Sequence, residues 1–327
     1  MAELSRPNEA ATDQKAAQAA AAPVRRLDII SHRNVFFLVS LLIIVPGIIS
    51  MVSRGFLLGI DFQGGNEFTV QFEGQPSLQQ VQTAVSHEGV NGVVQPASNG
   101  TFLIRTSPMD PAQSARFQDD VARQVGMGIN QDKSSQTQVG PTIAGELVFY
   151  ALLGIVLASI LILSYLAFRF RRVQGGWRSG FQFGGSALLA LLHDVFLLMG
   201  VFSILGRVLN LRIGEIDSFF VTAVLTVVGF SVHDTIVVFD RIRENMIVSS
   251  RLTFEQVVNL SIMQTAARSI ITSFTVVLVL ISLLLFGGDT LKGFALALLI
   301  GIVSGTYSSI FNASPLLVVW RRLQPVR

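Results

Sequence analysis

The chain lacks cysteine and the common catalytic motifs. The absence of cysteine among 327 residues excludes disulfide bonds, thiolate metal sites and a cysteine nucleophile. The four histidines are scattered and do not have the spacing of metal ligands. The P-loop, GxSxG and HExxH motifs are also missing. We therefore expect no enzyme activity, no cofactor and no metal. Energy for any work has to come from elsewhere, such as a membrane potential.

Charge is scarce, and hydrophobic residues are abundant. Only 14% of the residues are charged and half are hydrophobic, whereas soluble domains carry about 25% charged residues. Several apolar runs reach the length of about twenty residues that a membrane-spanning helix needs. The sequence therefore predicts a membrane protein with six spans, at about 34–52, 143–168, 180–205, 217–239, 269–286 and 293–319.

The basic residues predict the orientation. They cluster before the first span and after the second, fourth and sixth, while the opposite loops hold few. The positive-inside rule then places both termini in the cytoplasm and the long segment 55–141 outside. The predicted organisation is an N-terminal cytoplasmic tail, the first span, an outward domain, five further spans and a C-terminal tail, at 1–32, 33–54, 55–141, 142–320 and 321–327. A net charge of +3 gives no reason to expect nucleic-acid binding.

The outward segment alternates predicted strands and helices. Strands are expected at 68–72, 93–95, 101–106 and 135–139, and helices at 77–88 and 111–125. The order β-α-β-β-α-β is that of a ferredoxin-like α+β domain. On the opposite side, Thr253 and Gln256 form a capping-box pattern, which predicts a short surface helix from about residue 254, separate from the fifth span.

Asp234 is the first candidate functional residue, because it interrupts an apolar run. An ionisable residue within a span costs a few kcal/mol and usually marks a functional site. Arg268 begins the next apolar run, so a hairpin of the two spans brings acid and guanidinium near the same membrane face. Two interpretations remain open: a proton relay that alternates between environments, or a fixed ion pair or hydrated carboxylate with a structural role.

Other polar and small residues within the spans are secondary candidates. His193 and Asp194 interrupt the third span, where they either brace a neighbouring helix or act directly. His233 precedes Asp234 and points about 100° away from it, which favours a hydrogen bond to a neighbouring span. A small-residue stripe on one face of the sixth span permits close helix packing; it consists of Gly301, Gly305 and Ser309.

Five motifs resemble those of the SecF family, the accessory membrane subunits of bacterial Sec protein export. The similarity covers about residues 33–322. In chain order the motifs are GIDFQGGNEF (59–68), VGPTIAGEL (139–147), LLHDVF (191–196), GFSVHDTIVVFDRIREN (229–245) and FGGDTLKGFALALLIGIVSGTYSSIF (286–311).

The resemblance implies half of a resistance-nodulation-division (RND) transporter fold in the bacterial inner membrane. Six spans pair with six of SecD, beside the SecYEG translocon, and proton flow (sodium in some members) moves outward domains that help to pull preprotein across. The family's relay residues fall on Asp234 and Arg268, and the position before the acid, usually Asn, is here His233. Supporting membrane residues are His193, Asp194, His233 and Thr235, and the cytoplasmic charged motif is Asp240, Arg241, Arg243 and Glu244.

Two rival functions follow from the same residues. A small-solute or drug antiporter of the RND type is the first, although such pumps carry two halves and two large outward loops. A purely structural assembly factor is the second, and it would tolerate neutralisation of Asp234. Co-purification with SecD and the translocon distinguishes export from solute transport.

Overall fold

Six long helices dominate the computed structural model, which describes residues 28–90, 92–97, 100–173, 175–248 and 252–325, with only the backbone of Asp289. Within these residues, the helices long and apolar enough to cross a membrane are span 1 to span 6: Arg33–Arg54, Pro141–Phe170, Trp177–Val208, Ser218–Val248, Phe254–Phe286 and Thr290–Leu323. The predicted number of spans is confirmed. The tail up to residue 27, Arg251 and the last two residues lie outside the described residues.

Spans 4 and 5 are longer than the sequence predicted. The charged motif continues the helix of span 4 to Val248, and no separate surface helix precedes span 5. Instead, one helix runs from the capping box of Thr253 and Gln256 to Phe286. Thirty-three residues reach about 50 Å at 1.5 Å per residue, well beyond a hydrocarbon core of about 30 Å. The prediction of a separate helix was wrong, because no proline or glycine interrupts residues 254–286.

The segment between spans 1 and 2 forms a small sheet covered by two helices. Strands β1 (Gly65–Gln71), β2 (Gly92–Pro96), β3 (Thr101–Thr106) and β4 (Ser135–Val139) lie in the order β2-β3-β1-β4. All three pairings are antiparallel. Helices α1 (Leu78–His87) and α2 (Pro111–Val125) follow β1 and β3. The order of strands and helices is the predicted one. We call this segment the sheet domain.

Alternating burial along β1 builds the core of the sheet domain. Phe68 and Val70 are buried there, and the Phe68 ring lies 4.8 Å from the ring of Phe117 on α2. Ser77 caps α1 with a capping box, and Asp110 caps α2 by accepting a bond from a backbone N–H. Such caps satisfy N–H groups that the first helical turn leaves unpaired.

Spans 3, 4 and 6 form the centre of the bundle. In each of these spans, 44–56% of the most apolar 18-residue stretch is buried within the chain, whereas the corresponding share is 0–17% in spans 1, 2 and 5. Near one end, the rings of Phe170, Phe183 and Phe239 pack together, with Phe170 and Phe183 stacked 4.8 Å apart. The buried polar side chains of the three central spans, among them Asp194, Ser231 and Ser308, therefore face neighbouring helices rather than lipid.

Two glycines set the closest approach of spans 1 and 3. A Cβ added at Gly200 would lie 2.7 Å from the Cα of Gly47, and one at Gly47 would lie 2.8 Å from the Cα of Gly200. The small-residue stripe of span 6 packs similarly on span 4: a Cβ at Gly301 would meet the Val227 side chain at 2.2 Å.

Gly200→Ala is expected to destabilise the bundle by about 1–3 kcal/mol, because the new methyl group meets backbone that cannot move without separating the helices. Gly154→Ala in span 2 is the matched control, since a Cβ there has no neighbour within 4 Å, and replacing a helix glycine by alanine normally stabilises. Thermal unfolding in detergent measures both. Equal midpoints for the two variants would show that the contact of spans 1 and 3 is not close-packed.

Candidate functional site

Asp234 lies on span 4 and is 7% exposed. Its Oδ1 accepts a hydrogen bond from the hydroxyl of Ser269 on span 5 at 2.5 Å. Its Oδ2 is buried and has no partner among the described residues. A carboxylate that is buried with half of its acceptors unused is energetically costly when charged. The site is therefore suited to taking up a cation or a proton.

Arg268 does not pair with Asp234 in this conformation, so the fixed ion pair, one of the interpretations left open by the sequence, is not formed here. Arg268 is exposed and adjoins Ser269, so on the helix the two side chains diverge by about 100°. Since Ser269 occupies the face toward Asp234, Arg268 points elsewhere, into a cleft of about 620 Å³. The sequence correctly predicted that spans 4 and 5 are neighbours at Asp234. A difference of one residue along span 5 decides that Ser269, and not Arg268, contacts Asp234.

The cleft is lined by the charged motif at the end of span 4. Its walls include Val237 and Thr265, each within about one turn of the Asp234–Ser269 contact. The motif is internally paired: Arg241 lies 2.6 Å from Glu244 and donates to Gln264, and Asp240 accepts from Arg169 of span 2 at 2.9 Å and lies 3.4 Å from Arg243. Polar side chains thus extend from this end of the bundle toward Asp234.

Asp194 of span 3 is 1% exposed and accepts more hydrogen bonds than Asp234. Hydroxyls of spans 4 and 6 donate to it, from Ser231 at 2.7 Å, Ser304 at 2.7 Å and Ser308 at 2.6 Å. The Nδ1 of His193 lies 3.1 Å from Oδ1. The sequence suggested a brace to one helix, whereas the structure shows contacts to two. Serines four apart on span 6, on the face of the small residues, were the signal that sequence reasoning missed.

Further hydroxyls connect the same helices beside Asp234. Thr235 bonds Ser309 of span 6 at 2.9 Å and donates to the Ser231 carbonyl at 3.0 Å. Ser273 and Thr306 bond at 2.5 Å. Span 6 contains a π-helical turn at Ser309–Ala313, a feature often found at functional sites. His233 is exposed and makes no hydrogen bond to the described residues, so the expected bond to a neighbouring span of this chain is not formed.

The sheet domain contacts the opposite end of span 4 through the segment just before β1. Asp61 accepts a bond from the backbone N–H of Ser218, the first residue of span 4, at 2.8 Å. Gly59 donates to the carbonyl of Ile216 at 2.8 Å. Within the sheet domain, Gly65 at the start of β1 has φ +132°, and a Cβ there would lie 2.5 Å from a carbonyl of β3. The close approach of β1 to β3 at this point therefore needs glycine. The segment caps the helix that carries Asp234.

A buried ion pair reinforces this contact. Arg105 on β3 lies 2.5 Å from Glu215, in the connection of spans 3 and 4, and 2.7 Å from Glu67 on β1. Burial raises the pKa of Glu215, although Arg105 opposes the shift. Burial acts to lower the pKa of Arg105, but the two glutamates outweigh it and the pKa is raised, which keeps the guanidinium charged. We call Arg105, Glu67 and Glu215 the charge latch.

The described residues contain no cluster of three His, Asp or Glu side chains arranged to hold a metal ion. A cavity of about 570 Å³ beside the charge latch has acidic and basic side chains in its walls, among them Asp61, Asp217 and Arg212. Burial also raises the pKa of Asp217. The candidate site thus consists of intramembrane acids and hydroxyls, with charged groups at both ends of span 4.

Comparisons with known proteins decide the family. The model of "Protein export membrane protein SecD/SecF, C-terminal" matches residues 119–323, and the SecD/SecF GG motif matches 49–76. A Protein translocase subunit SecF from Thermobaculum terrenum is 45% identical, over 90% of this chain and 94% of the relative. One from Anaerolinea thermophila is 38% identical, with the same coverage. The chain belongs to the SecF family.

Solved structures of SecDF share this fold. The crystal structure of the translocon-associated SecDF from Thermus thermophilus matches with a TM-score of 0.78 at 32% identity, over 91% of this chain. A second, super-membrane-facing form of SecDF matches with a TM-score of 0.65. This chain spans 39% of each solved chain. Its family and six apolar helices identify an integral membrane protein of the Sec protein-export pathway.

Proposed function

We propose that this SecF-family chain is a non-enzymatic accessory subunit that pairs with SecD and uses the proton motive force to promote preprotein export through SecYEG. The sheet domain is the ferredoxin-like outward domain, and its β2-β3-β1-β4 order supports that assignment. Both termini are cytoplasmic. The basic residues support this orientation, because Arg169, Arg243 and Arg322 lie at the ends of spans 2, 4 and 6 opposite the sheet domain.

One observation carries the proposal: Asp234, a buried acid with one oxygen that has no partner among the described residues, sits on the helix that the outward domain caps. Asp234 lies 16 residues beyond Ser218, or about 24 Å along span 4 at 1.5 Å per residue. A change in the charge of Asp234 alters what span 4 packs against, and Asp61 at the far end transmits any movement of that helix to the outward domain. A single charge crossing 100 mV supplies about 2.3 kcal/mol for such a movement.

The proposed cytoplasmic exit is the cleft beside Arg268. Asp240 follows Asp234 by six residues, or about 9 Å along the helix, so the acid is closer to this end than to the outward domain. A rotation of span 5 by about one residue position would replace Ser269 with Arg268 beside Asp234. The guanidinium can then hold the ionised carboxylate through two hydrogen bonds, and release it when span 5 returns.

SecD is the proposed partner because much of this chain's apolar surface is not covered by the described residues. At most 17% of the most apolar 18-residue stretch is buried in each of spans 1, 2 and 5, and His233 on span 4 is exposed as well. In the solved SecDF chains, 61% of the sequence lies outside the match, which is enough for a second set of spans. Lipid covers whatever surface the partner leaves.

His233→Leu is expected to leave the unfolding free energy of the isolated chain within about 0.5 kcal/mol, because His233 is exposed and bonds none of the described residues. The same change should weaken co-purification with SecD, since it removes polar atoms from the partner-facing surface. His233→Asn is the matched control and should keep both assembly and the pH profile of proton flux. A shift of that profile by a unit or more in His233→Asn would show that this histidine titrates during transport.

The direct test is preprotein export into inverted vesicles that contain SecYEG, the ATP-driven motor of the export machinery and this chain with SecD. We expect the chain to stimulate export only while a proton gradient is present, and an ionophore to remove the stimulation. Undiminished stimulation after collapse of the gradient would contradict the proposal. Gradient-driven dye transport by the chain without SecD would instead favour a small-solute antiporter.

A further inference from the structure

Asp194 is the most deeply buried acid of the central spans, and its surroundings come from three helices. Ser231, Ser304 and Ser308 donate to its two oxygens, and the Nδ1 of His193 contacts it at 3.1 Å. No arginine or lysine forms an ion pair with it in the described part of the chain. Three serine hydroxyls and one histidine nitrogen thus surround a carboxylate where an isolated charge is costly.

The side chains that contact Asp194 come from spans 3, 4 and 6. From spans 4 and 6 they are the three serine hydroxyls, which do not titrate. On its own helix the titratable neighbour is His193, whose ring lies 6.3 Å from that of Tyr307 on span 6. The Tyr307 hydroxyl donates to the carbonyl of Phe36 at 3.0 Å and so is engaged with span 1. Protonation of this site therefore depends on Asp194 and His193.

The site can satisfy both protonation states of Asp194. When the acid is ionised, Ser308 donates to it at 2.6 Å, but the same hydroxyl also lies 3.2 Å from the Gly305 carbonyl. After protonation, the acid can donate to Ser308, which then turns its own proton to that carbonyl. The Nε2 of His193 is buried and has no partner among the described residues, which leaves a second position for a proton.

We propose that Asp194 is a second proton-binding site within the membrane and exchanges its proton with Asp234. Ser231 donates to Asp194 and precedes Asp234 by three residues on span 4, or about 4.5 Å along the axis. Thr235 and Ser309 bond each other beside it. In the exchange, an O–H bond of one carboxylic acid breaks and an O–H bond forms on the other carboxylate, with no change in electron count. This inference rests on the proposed proton coupling.

Infrared difference spectroscopy of the full chain in lipid, between high and low pH, tests the proposal without an export assay. Protonated carboxylic acids give a C=O stretching band that carboxylates lack. Asp234→Asn should retain a band from Asp194, and Asp234→Asn with Asp194→Asn should lose it. Asparagine keeps the size of aspartate and one acceptor oxygen, although its amide nitrogen donates instead of accepting, so the comparison keeps the volume of the site while it removes the titratable group.

Ser308→Ala in the Asp234→Asn background provides an independent readout. It keeps Asp194 but removes one hydroxyl, so the Asp194 band should move to higher wavenumber as its hydrogen bonding weakens. A band pattern that is the same with and without Asp194, and unmoved by Ser308→Ala, would overturn the proposal and make Asp194 a fixed brace. If Asp234→Asn still abolishes export in that case, the proposed function stands and only this inference fails.

Discussion

Asp234→Asn is expected to abolish the gradient-dependent stimulation of export while the chain still inserts and binds SecD. Asparagine keeps the shape of the side chain and can still accept from Ser269 at the Oδ1 position, but it carries neither a proton nor a charge. If each cycle uses one charge across 100 mV, about 2.3 kcal/mol is lost, which corresponds to roughly a 40-fold change in an equilibrium. Export in inverted vesicles, with and without a proton gradient, measures the effect.

Asp234→Glu is the matched control, because it keeps a titratable carboxyl group at the same position. It should retain part of the stimulation, since the longer side chain repositions the acid without removing it. Full stimulation by Asp234→Asn would mean that the acid has only a structural role. Equal loss in the Asn and Glu variants would point to packing rather than to proton transfer.

Arg105→Ala is expected to detach the sheet domain from the bundle of spans. Removing one partner of a buried ion pair costs about 3–5 kcal/mol, because the remaining charge is left uncompensated. Here that charge is on Glu215, which is 9% exposed. Glu215→Gln should be much milder, since Arg105 keeps Glu67 as a partner. Combining Arg105→Ala with Glu215→Gln should restore docking, because position 215 then carries no charge and Glu67 keeps an ion pair with Arg212 at 3.8 Å.

The pH dependence of the Arg105→Ala variant follows from the pKa of Glu215. Burial raises that pKa in the docked state, and loss of the cation raises it further. A group whose pKa is raised on docking favours docking at low pH and loses that contribution as pH rises through the raised value. The variant should therefore dock when acidified and detach as pH rises above the ordinary range of a glutamate.

Because the chain has no cysteine, a pair of introduced cysteines carries spin labels without background. Labels at Gln79 on the sheet domain and Leu209 beside span 3, both exposed, report the docking distance. Arg123→Ala is the control, since Arg123 is 77% exposed and its ion pair is with Asp120 of the same helix. A distance distribution in Arg105→Ala as narrow as that of Arg123→Ala would contradict the role given to the charge latch.

The features that sequence reasoning predicted well depend on local patterns. Apolar runs of about twenty residues gave the six spans, and alternation with turn residues gave the four strands and two helices of the sheet domain in order. The capping box at Thr253 was also correct, but its helix was not separate from span 5. The capping pattern suggested a short surface helix, whereas helical hydrogen bonding continued without a break to Phe286.

The features that sequence reasoning missed depend on which side chains contact one another between helices. Asp234 was identified from its cost in a membrane, but its partner proved to be Ser269 rather than Arg268, a difference of one helical position. Serines are common, so nothing local distinguishes Ser231 as a donor to a buried acid, whereas the spacing of Ser304 and Ser308 on span 6 was a signal that could have been used. Likewise, Asp61 lies 157 residues from the helix that it caps, and no pattern in the sequence joins the two.

The central claim is that Asp234 couples proton entry to export. Its most direct test is to record proton influx and preprotein export together in the same vesicles, for wild type and Asp234→Asn. The account predicts that influx rises with export in the wild type and that both gradient-dependent signals disappear in the variant. Proton influx that persists unchanged in Asp234→Asn, or export stimulation without any influx, would contradict it.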